Sequence, residues 1–202
     1  MPLIFKNVKA RKTAMLSRLL CFFSIFTFSV CSAQMNHSLI VLKSGDSLNG
    51  FGKLKLRTFK YESYSRLDKR EIDFSQIRLV KIKKTDTLTE IYRFFQDADN
   101  EDFIAALELV TGSHVELYST LFNTNNGYTG TQTTNYWVKK PSDEKLTNLG
   151  AFNPLSTTLR GKVLNYFSDC KALIDKVENK DFRMRSGLEQ IAVFYNENCN
   201  SN

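Results

Sequence analysis

The stretch FIAALELVTGSHVELY, residues 103–118, decides the fold class. Residues 103–110 and 115–118 are rich in apolar and β-branched residues, and Thr111-Gly112-Ser113 lies between them. Two strand-like runs joined by a short segment that contains glycine are typical of a β-hairpin. The stretch therefore predicts two antiparallel strands, and similar patterns on both sides extend the prediction.

Further strands are predicted wherever apolar residues alternate or form short runs bounded by turn residues. The candidates lie at residues 39–42, 48–56, 72–74, 77–82, 91–95 and 136–138. The turn Lys43-Ser44-Gly45-Asp46 joins the first two, and glycine there adopts a positive φ at little cost. The charged residues 66–71 and the polar residues 123–135 predict exposed loops. The total is about seven or eight strands.

From Asn153 onward the apolar spacing becomes helical. Asn153 is a capping residue and Pro154 suits the first helical position, so the first helix is predicted to begin there. Ser168-Asp169 interrupts the pattern, and Ser186 and Glu189 have the spacing of a capping box before the third apolar stripe. The sequence thus predicts an α+β domain, an antiparallel β-rich body (a sheet, a roll or a small barrel) with three short C-terminal helices packed on it.

Residues 1–33 predict a cleavable signal peptide. Residues 1–18 contain five basic residues and no acid, and the 12 residues from Leu19 to Val30 are uncharged. A membrane-spanning helix needs roughly 17–25 residues, so the alternative of an uncleaved anchor is disfavoured. Small side chains in Cys31-Ser32-Ala33 predict cleavage between Ala33 and Gln34. Met15 is an alternative start of the signal.

Removal of residues 1–33 leaves a single domain, residues 34–202, with a β-rich part at 34–152 and a helical part at 153–202. The whole chain has 28 basic and 21 acidic residues and a net charge of +7, whereas residues 34–202 keep 23 basic and 21 acidic residues. Nucleic-acid-binding domains are strongly basic, so no nucleic-acid partner is predicted. We expect export to the periplasm, the outer surface or the medium, with no stable membrane span after cleavage.

Cys170 and Cys199 are the two cysteines of residues 34–202, and the sequence predicts a disulfide between them. Disulfides persist in compartments outside the cytoplasm. Cys170 begins the second apolar helical stripe and Cys199 ends the third. The start of one antiparallel helix lies beside the end of its neighbour, so the two sulfur atoms are within reach. Two buried free thiols are the alternative.

The sequence contains no signature that predicts a catalytic, cofactor-binding or metal site. Neither a Gly-x-Ser-x-Gly nor a phosphate-loop motif is present, and Gly50-Phe51-Gly52 lacks the third glycine of a dinucleotide site. His37 and His114 have no partner at a metal-ligand spacing. Five residues match a calcium loop: Asp97, Asp99, Glu101, Ile104 and Glu108. Asp102 occupies the position that needs glycine, so an acidic solvated connection is favoured.

Two groups of side chains could contact a surface partner. The basic group is Lys81, Lys83, Lys84, Lys139 and Lys140, and the aromatic group is Tyr61, Tyr64, Tyr128, Tyr136 and Trp137. The favoured interpretation is a solvated sheet face for the lysines and core or cross-strand packing for the aromatic residues. The alternative is an anionic or glycan partner that the lysines attract and the rings stack on.

Several segments resemble those of small exported proteins of uncharacterised function from Bacteroidota. They are Ser32-Ala33-Gln34, Leu42-Lys43-Ser44-Gly45-Asp46-Ser47, residues 136–140, Leu146-Thr147, residues 165–170 and residues 194–199. Lys171 departs from the pattern, in which proline follows the cysteine. The resemblance implies an exported location and this architecture, and it implies no activity.

The leading functional hypothesis is a non-enzymatic binding or interaction module of the cell envelope or the medium. Its partner could be an envelope protein, a glycan or a small apolar ligand. The alternative is a carrier that holds an apolar ligand in a β-barrel or roll beneath the helices, and a weaker one is a hydrolase with scattered acidic residues. A pocket lined by apolar side chains favours the carrier, and a flat aromatic or basic patch favours the module.

Overall fold

The computed structural model describes residues 35–96, 102–125, 130–143 and 145–199. These residues form one antiparallel sheet of ten strands and three α-helices, which confirms the α+β class and the C-terminal helices. The strands are β1 (Asn36–Leu42), β2 (Ser47–Leu54), β3 (Thr58–Ser63), β4 (Lys69–Asp73), β5 (Ile77–Lys83), β6 (Thr89–Gln96), β7 (Phe103–Val110), β8 (Glu116–Asn125), β9 (Gly130–Lys139) and β10 (Thr147–Ala151). The helices are α1 (Thr158–Tyr166), α2 (Lys171–Glu178) and α3 (Glu189–Asn198). Residues 1–34, with the predicted signal peptide and the predicted cleavage site Ala33-Gln34, lie outside the described residues.

The prediction of about seven or eight strands is wrong, because Thr58–Ser63 and Thr147–Ala151 also form strands, β3 and β10. Phe74, which was predicted to share a strand with Ile72, instead begins a 3-10 helix. Two predicted loops are also partly strand. Residues 66–71 were expected to be a loop, yet Lys69–Asp73 pairs with β3 as the edge strand β4. Edge strands in natural sheets carry charged residues, and such a strand shows no strong apolar alternation. The predicted loop 123–135 is also strand at both ends, because β8 continues to Asn125 and β9 begins at Gly130.

The strand order is β10-β9-β8-β7-β6-β5-β1-β2-β3-β4, so β4 and β10 are the edges of an open sheet. The predicted small barrel is therefore wrong. The four residue-to-residue steps from Asp73 to Ile77 span at most about 14 Å. In a flat sheet β4 and β5 would be about 19 Å apart, at about 4.8 Å per strand. The sheet must therefore curl, and a 3-10 helix at Phe74–Gln76 makes the short connection.

Besides a small group formed by Ala106, Tyr118 and Trp137, two larger clusters of buried side chains fill the domain. One lies inside the curled part, where rings from β3 and the 3-10 helix pack on β1, β5 and β6. Gly50 and Gly52 on β2 leave room for these rings, since a Cβ atom on Gly52 would meet the Phe59 ring. The other cluster lies between β8–β10 and the three helices. Gly50 and Gly52 thus allow the rings of the first cluster to pack closely against β2.

Two helices begin later than the sequence predicts. Asn153 accepts a hydrogen bond from the Leu155 backbone NH at 2.9 Å and so forms a turn, while α1 begins at Thr158. Glu189 is the first residue of α3, and no capping-box hydrogen bond forms. Both segments contain capping residues whose side chains bond to the backbone equally well in turns. The break at Ser168-Asp169 lies between α1 and α2 as predicted.

The disulfide prediction is confirmed in the described structure. Cys170 and Cys199 are joined, and their Cα atoms are 5.6 Å apart. Cys170 precedes α2 and Cys199 follows α3, so the bridge links the start of one helix to the end of the other. Both cysteines belong to the buried cluster between sheet and helices.

Candidate ligand-binding site

A cavity of about 490 Å³ lies on the helical side of the domain. Its walls are the connection between β10 and α1, the first turn of α1, the end of α2, and residues 180–185 that follow α2. Small-molecule sites in proteins have volumes of about 300–1,000 Å³. The cavity is therefore large enough for a small organic ligand.

The floor of the cavity is apolar. Leu159 and Val177 line it and are buried members of the main helical core. Phe182 and Met184 also line it and pack against the same core while remaining partly exposed. Phe152 adds an exposed ring at the mouth. An apolar ligand group bound here would displace water from side chains that already adjoin the core.

Basic side chains surround this floor. Arg160, Lys180, Arg183 and Arg185 line the cavity, and no lining residue is acidic. Within the described part of the chain, none of the four forms an ion pair with Asp or Glu. We call these four residues the basic rim. Because the rim charges have the same sign, they favour an anion over a cation in the cavity.

Arg160 is the innermost basic residue, on the first turn of α1. Its Nη2 atom donates to the backbone carbonyl oxygens of Val177 and Glu178, at 3.4 and 3.2 Å, at the end of α2. Its Nε atom is buried and has no hydrogen-bond partner in the described structure. A buried donor without a partner is costly in a folded protein. Because this atom has almost no accessible surface, a ligand in the cavity would contact Arg160 through the outer nitrogen atoms of its guanidinium group.

Lys180 lies in a backbone conformation that is unfavourable for its type. It follows the end of α2 with a φ of 64°, in the left-handed region. Glycine is the usual residue at such a helix end, because it has no Cβ atom to clash. The basic rim was not predicted from the sequence. A signal was present in Arg183 and Arg185, which alternate with Phe182 and Met184.

The described members of the aromatic group differ in their exposure to solvent. Tyr61, Tyr136 and Trp137 are buried, while the Tyr64 side chain is 56% exposed. Tyr64 packs beside His37 and Phe51, with ring centroids 5.8 and 5.3 Å away, on the outer side of β1 and β2. Tyr128 lies outside the described residues. Core packing therefore accounts for most of the aromatic group.

Among the five predicted surface lysines, Lys140 differs from the others. Its side chain is only 18% exposed, its Nζ atom donates to Asp169 Oδ2 at 2.8 Å, and it lies over the rings of Tyr166 and Tyr195. The prediction of a solvated lysine is wrong here, because three aromatic side chains of the helices cover the end of β9. Lys81, Lys83 and Lys84 are exposed, and Lys139 is half-buried.

The histidines and the described members of the calcium-loop pattern lie on different elements. His37 is paired with Phe51 in the sheet, and the backbone NH of His114 donates to Asn196 Oδ1 at 3.0 Å. Asp97, Asp99 and Glu101 lie outside the described residues. Ile104 and Glu108 lie on β7, where Glu108 accepts a hydrogen bond from Arg93 at 2.8 Å.

Asn196 is a structural residue that the sequence analysis missed. Its Oδ1 atom accepts from the backbone NH groups of His114 and Val115, and its Nδ2 atom donates to the Val115 carbonyl oxygen. A Cβ atom on Gly112 would overlap the Asn196 amide. Asn196 therefore anchors α3 to the turn between β7 and β8.

No group of three or more His, Cys, Asp or Glu side chains gathers as a metal site in the described residues. None of the helices in that part of the chain is long and apolar enough to cross a membrane. Comparison of the chain with family models, curated proteins and solved structures finds no match. The cavity and its basic rim are thus the feature on which a functional proposal can be based.

Proposed function

We propose that this chain is an exported, non-enzymatic binding module whose ligand site is the cavity between α1, the end of α2 and residues 180–185. The observation that carries the proposal is the cavity of about 490 Å³ with an apolar floor formed by Leu159, Val177, Phe182 and Met184. Its ligand is a small molecule with an apolar body. The site lies among helices and connections, outside any β-barrel.

Two further observations support this class of function. The basic N-terminus, the short apolar run and the small residues before Gln34 are the parts of a signal peptide. The Cys170–Cys199 disulfide is compatible with a compartment outside the cytoplasm. A binding role needs a shaped apolar surface with a few polar groups, and the cavity provides both.

Binding can be tested with Nile red, an uncharged dye whose fluorescence rises in an apolar environment. We expect one dye molecule to bind per chain. Met184→Trp places a larger side chain in the cavity and should weaken dye binding by about tenfold or more, on the scale of a lost apolar contact. Intrinsic fluorescence and circular dichroism would show that the variant is folded.

Leu56→Trp is the matched control, because Leu56 is 91% exposed and lies in the turn between β2 and β3. This variant adds the same ring at a site outside the cavity and should bind the dye as the unchanged chain does. Absence of saturable dye binding, or equal affinity in both tryptophan variants, would contradict the proposed site.

A further inference from the structure

We infer that the ligand of this cavity is an amphiphilic anion, an acyl chain or similar apolar body that carries a carboxylate or phosphate group. The inference rests on the proposed function, which requires only an apolar ligand. It adds the charge of the ligand and the residues that select for it. The basic rim of Arg160, Lys180, Arg183 and Arg185 carries this second step.

All the charged side chains that line the cavity are basic. The basic rim adjoins the apolar floor, and no acidic residue lines the cavity. The first turn of α1 also forms part of the wall and holds no acidic side chain, so its partial positive charge is not offset there. Elsewhere on the surface, basic residues are often paired, as Lys55 is with Glu71 and Lys83 with Asp86. An anionic ligand group would neutralise charges of the basic rim, whereas an uncharged or cationic group would not.

Arg160 gives the rim a specific donor. The two hydrogen bonds from its Nη2 atom to carbonyl oxygens at the end of α2 fix the guanidinium group against the wall. Its buried Nε atom remains unpartnered. Guanidinium groups present several donors in one plane and match the oxygen atoms of carboxylates and phosphates. A carboxylate in the cavity would accept from the outer guanidinium nitrogen atoms, while the buried Nε atom lies out of its reach.

Lys180 is an independent observation that points the same way. A lysine occupies the left-handed position after α2, although glycine would relieve the steric conflict there. Residues held in sparsely populated backbone regions often occur at ligand sites. The residue at this position lines the cavity and belongs to the basic rim. The left-handed backbone closes the end of α2, where the Asp181 NH donates to the Lys176 carbonyl oxygen at 3.0 Å, and it holds a cationic residue at the cavity.

The experiment compares three probes with the same decyl chain, namely decanoate, decanol and decyltrimethylammonium. Each is titrated below its micelle concentration into the full chain, and its Kd is measured by calorimetry or by displacement of Nile red. We expect decanoate to bind at least about tenfold more tightly than decanol, the scale of a hydrogen bond to a charged group. The cationic probe should bind most weakly.

Two variants identify the basic side chains that give the preference for decanoate. Arg160→Gln should reduce the preference for decanoate, but it also removes contacts with α2 and can weaken the fold. Lys180→Gly avoids this problem, because glycine readily adopts a positive φ. The matched control is Arg66→Gly, since Arg66 has a φ of 60° in the turn between β3 and β4. Lys180→Gly should weaken decanoate binding about threefold to tenfold and leave decanol unchanged, as expected for one partly exposed charge. Arg66→Gly should change neither.

The outcomes separate the two proposals. If neither decanol nor decanoate binds, the proposed function fails. If decanol binds as tightly as decanoate, or if Lys180→Gly and Arg66→Gly have equal effects, the cavity binds ligands but the inference on charge is wrong. Sedimentation with phosphatidylglycerol vesicles, compared with phosphatidylcholine vesicles, then identifies the source of the anion. Preferential binding to phosphatidylglycerol indicates a membrane lipid, and decanoate binding without vesicle binding indicates a free amphiphile.

Discussion

Reduction of the Cys170–Cys199 disulfide should lower the free energy of unfolding by a predictable amount. The bridge closes a loop with a sequence separation of 29 residues. In the chain-entropy description, a loop of this length restricts the unfolded chain by about 3.5 kcal/mol at 25 °C. Both cysteines are buried against the core, so the folded state already holds the two sulfur atoms close together. We therefore expect most of the effect to arise from the unfolded state.

The measurement is urea unfolding with and without a reductant. Cys21→Ser and Cys31→Ser, made together, leave Cys170 and Cys199 as the only cysteines. The free energy of unfolding of the reduced chain should be lower by about 3.5 kcal/mol, extrapolated to zero urea. Circular dichroism before unfolding should be the same in both states, because the helices keep their other core contacts.

Cys170→Ala with Cys199→Ala is the control, and its unfolding should not respond to the reductant. A difference below about 1 kcal/mol between the oxidised and reduced chains would refute the loop-closure reasoning. Two reactive thiols per chain in the unfolded, unreduced protein would refute the bridge itself.

Two further substitutions test contacts that join the helices to the rest of the domain. Asn196→Ala removes three hydrogen bonds to the turn before β8 and should lower the free energy of unfolding, measured in urea, by about 2–4 kcal/mol. The control is Asn198→Ala, which removes one exposed hydrogen bond within α3 and should lower the free energy of unfolding by about 1 kcal/mol or less. Burial raises the pKa of Asp169, but hydrogen bonds from Lys140 and Tyr195 outweigh it and hold the pKa below its ordinary value of 3.8. Asp169 therefore adds stability above that pH and loses it as the pH falls through the lowered pKa, so Asp169→Asn should destabilise at neutral pH and have little effect in acid. A destabilisation by Asp169→Asn that persists unchanged in acid would contradict this assignment.

The sequence predicted the parts of the fold in which local pattern and environment agree. The hairpin of β7 and β8 and the strand β5 alternate or group their apolar residues, because one side of each faces a core. The helix stripes and the break at Ser168-Asp169 led to the correct helix pairing, and this pairing made the disulfide predictable. Each of these features depends on residues that are near one another in the chain.

The features that the sequence did not predict depend on distant contacts. Lys69–Asp73 is a strand because β3 offers it a free edge, and its own charged residues give no alternation. Lys140 was predicted to be exposed to solvent, but rings from α1 and α3 lie against its amino group. Asn196 contacts His114 across 82 positions, so no short window contains the pair. The cavity likewise combines residues 152–160 with residues 177–185.

The basic rim is the place where the chain departs most from the rules that stabilise the rest of it. Like charges face one cavity without counter-charges, Arg160 keeps a buried donor without a described partner, and Lys180 occupies a left-handed position. Departures of this kind lower stability and persist at sites where another requirement acts on them. Residues 180–185 also lie within the loop that the Cys170–Cys199 bridge closes. The bridge restricts the unfolded states of the segment that carries most of the rim, and so it offsets the instability that these neighbouring like charges bring to the fold.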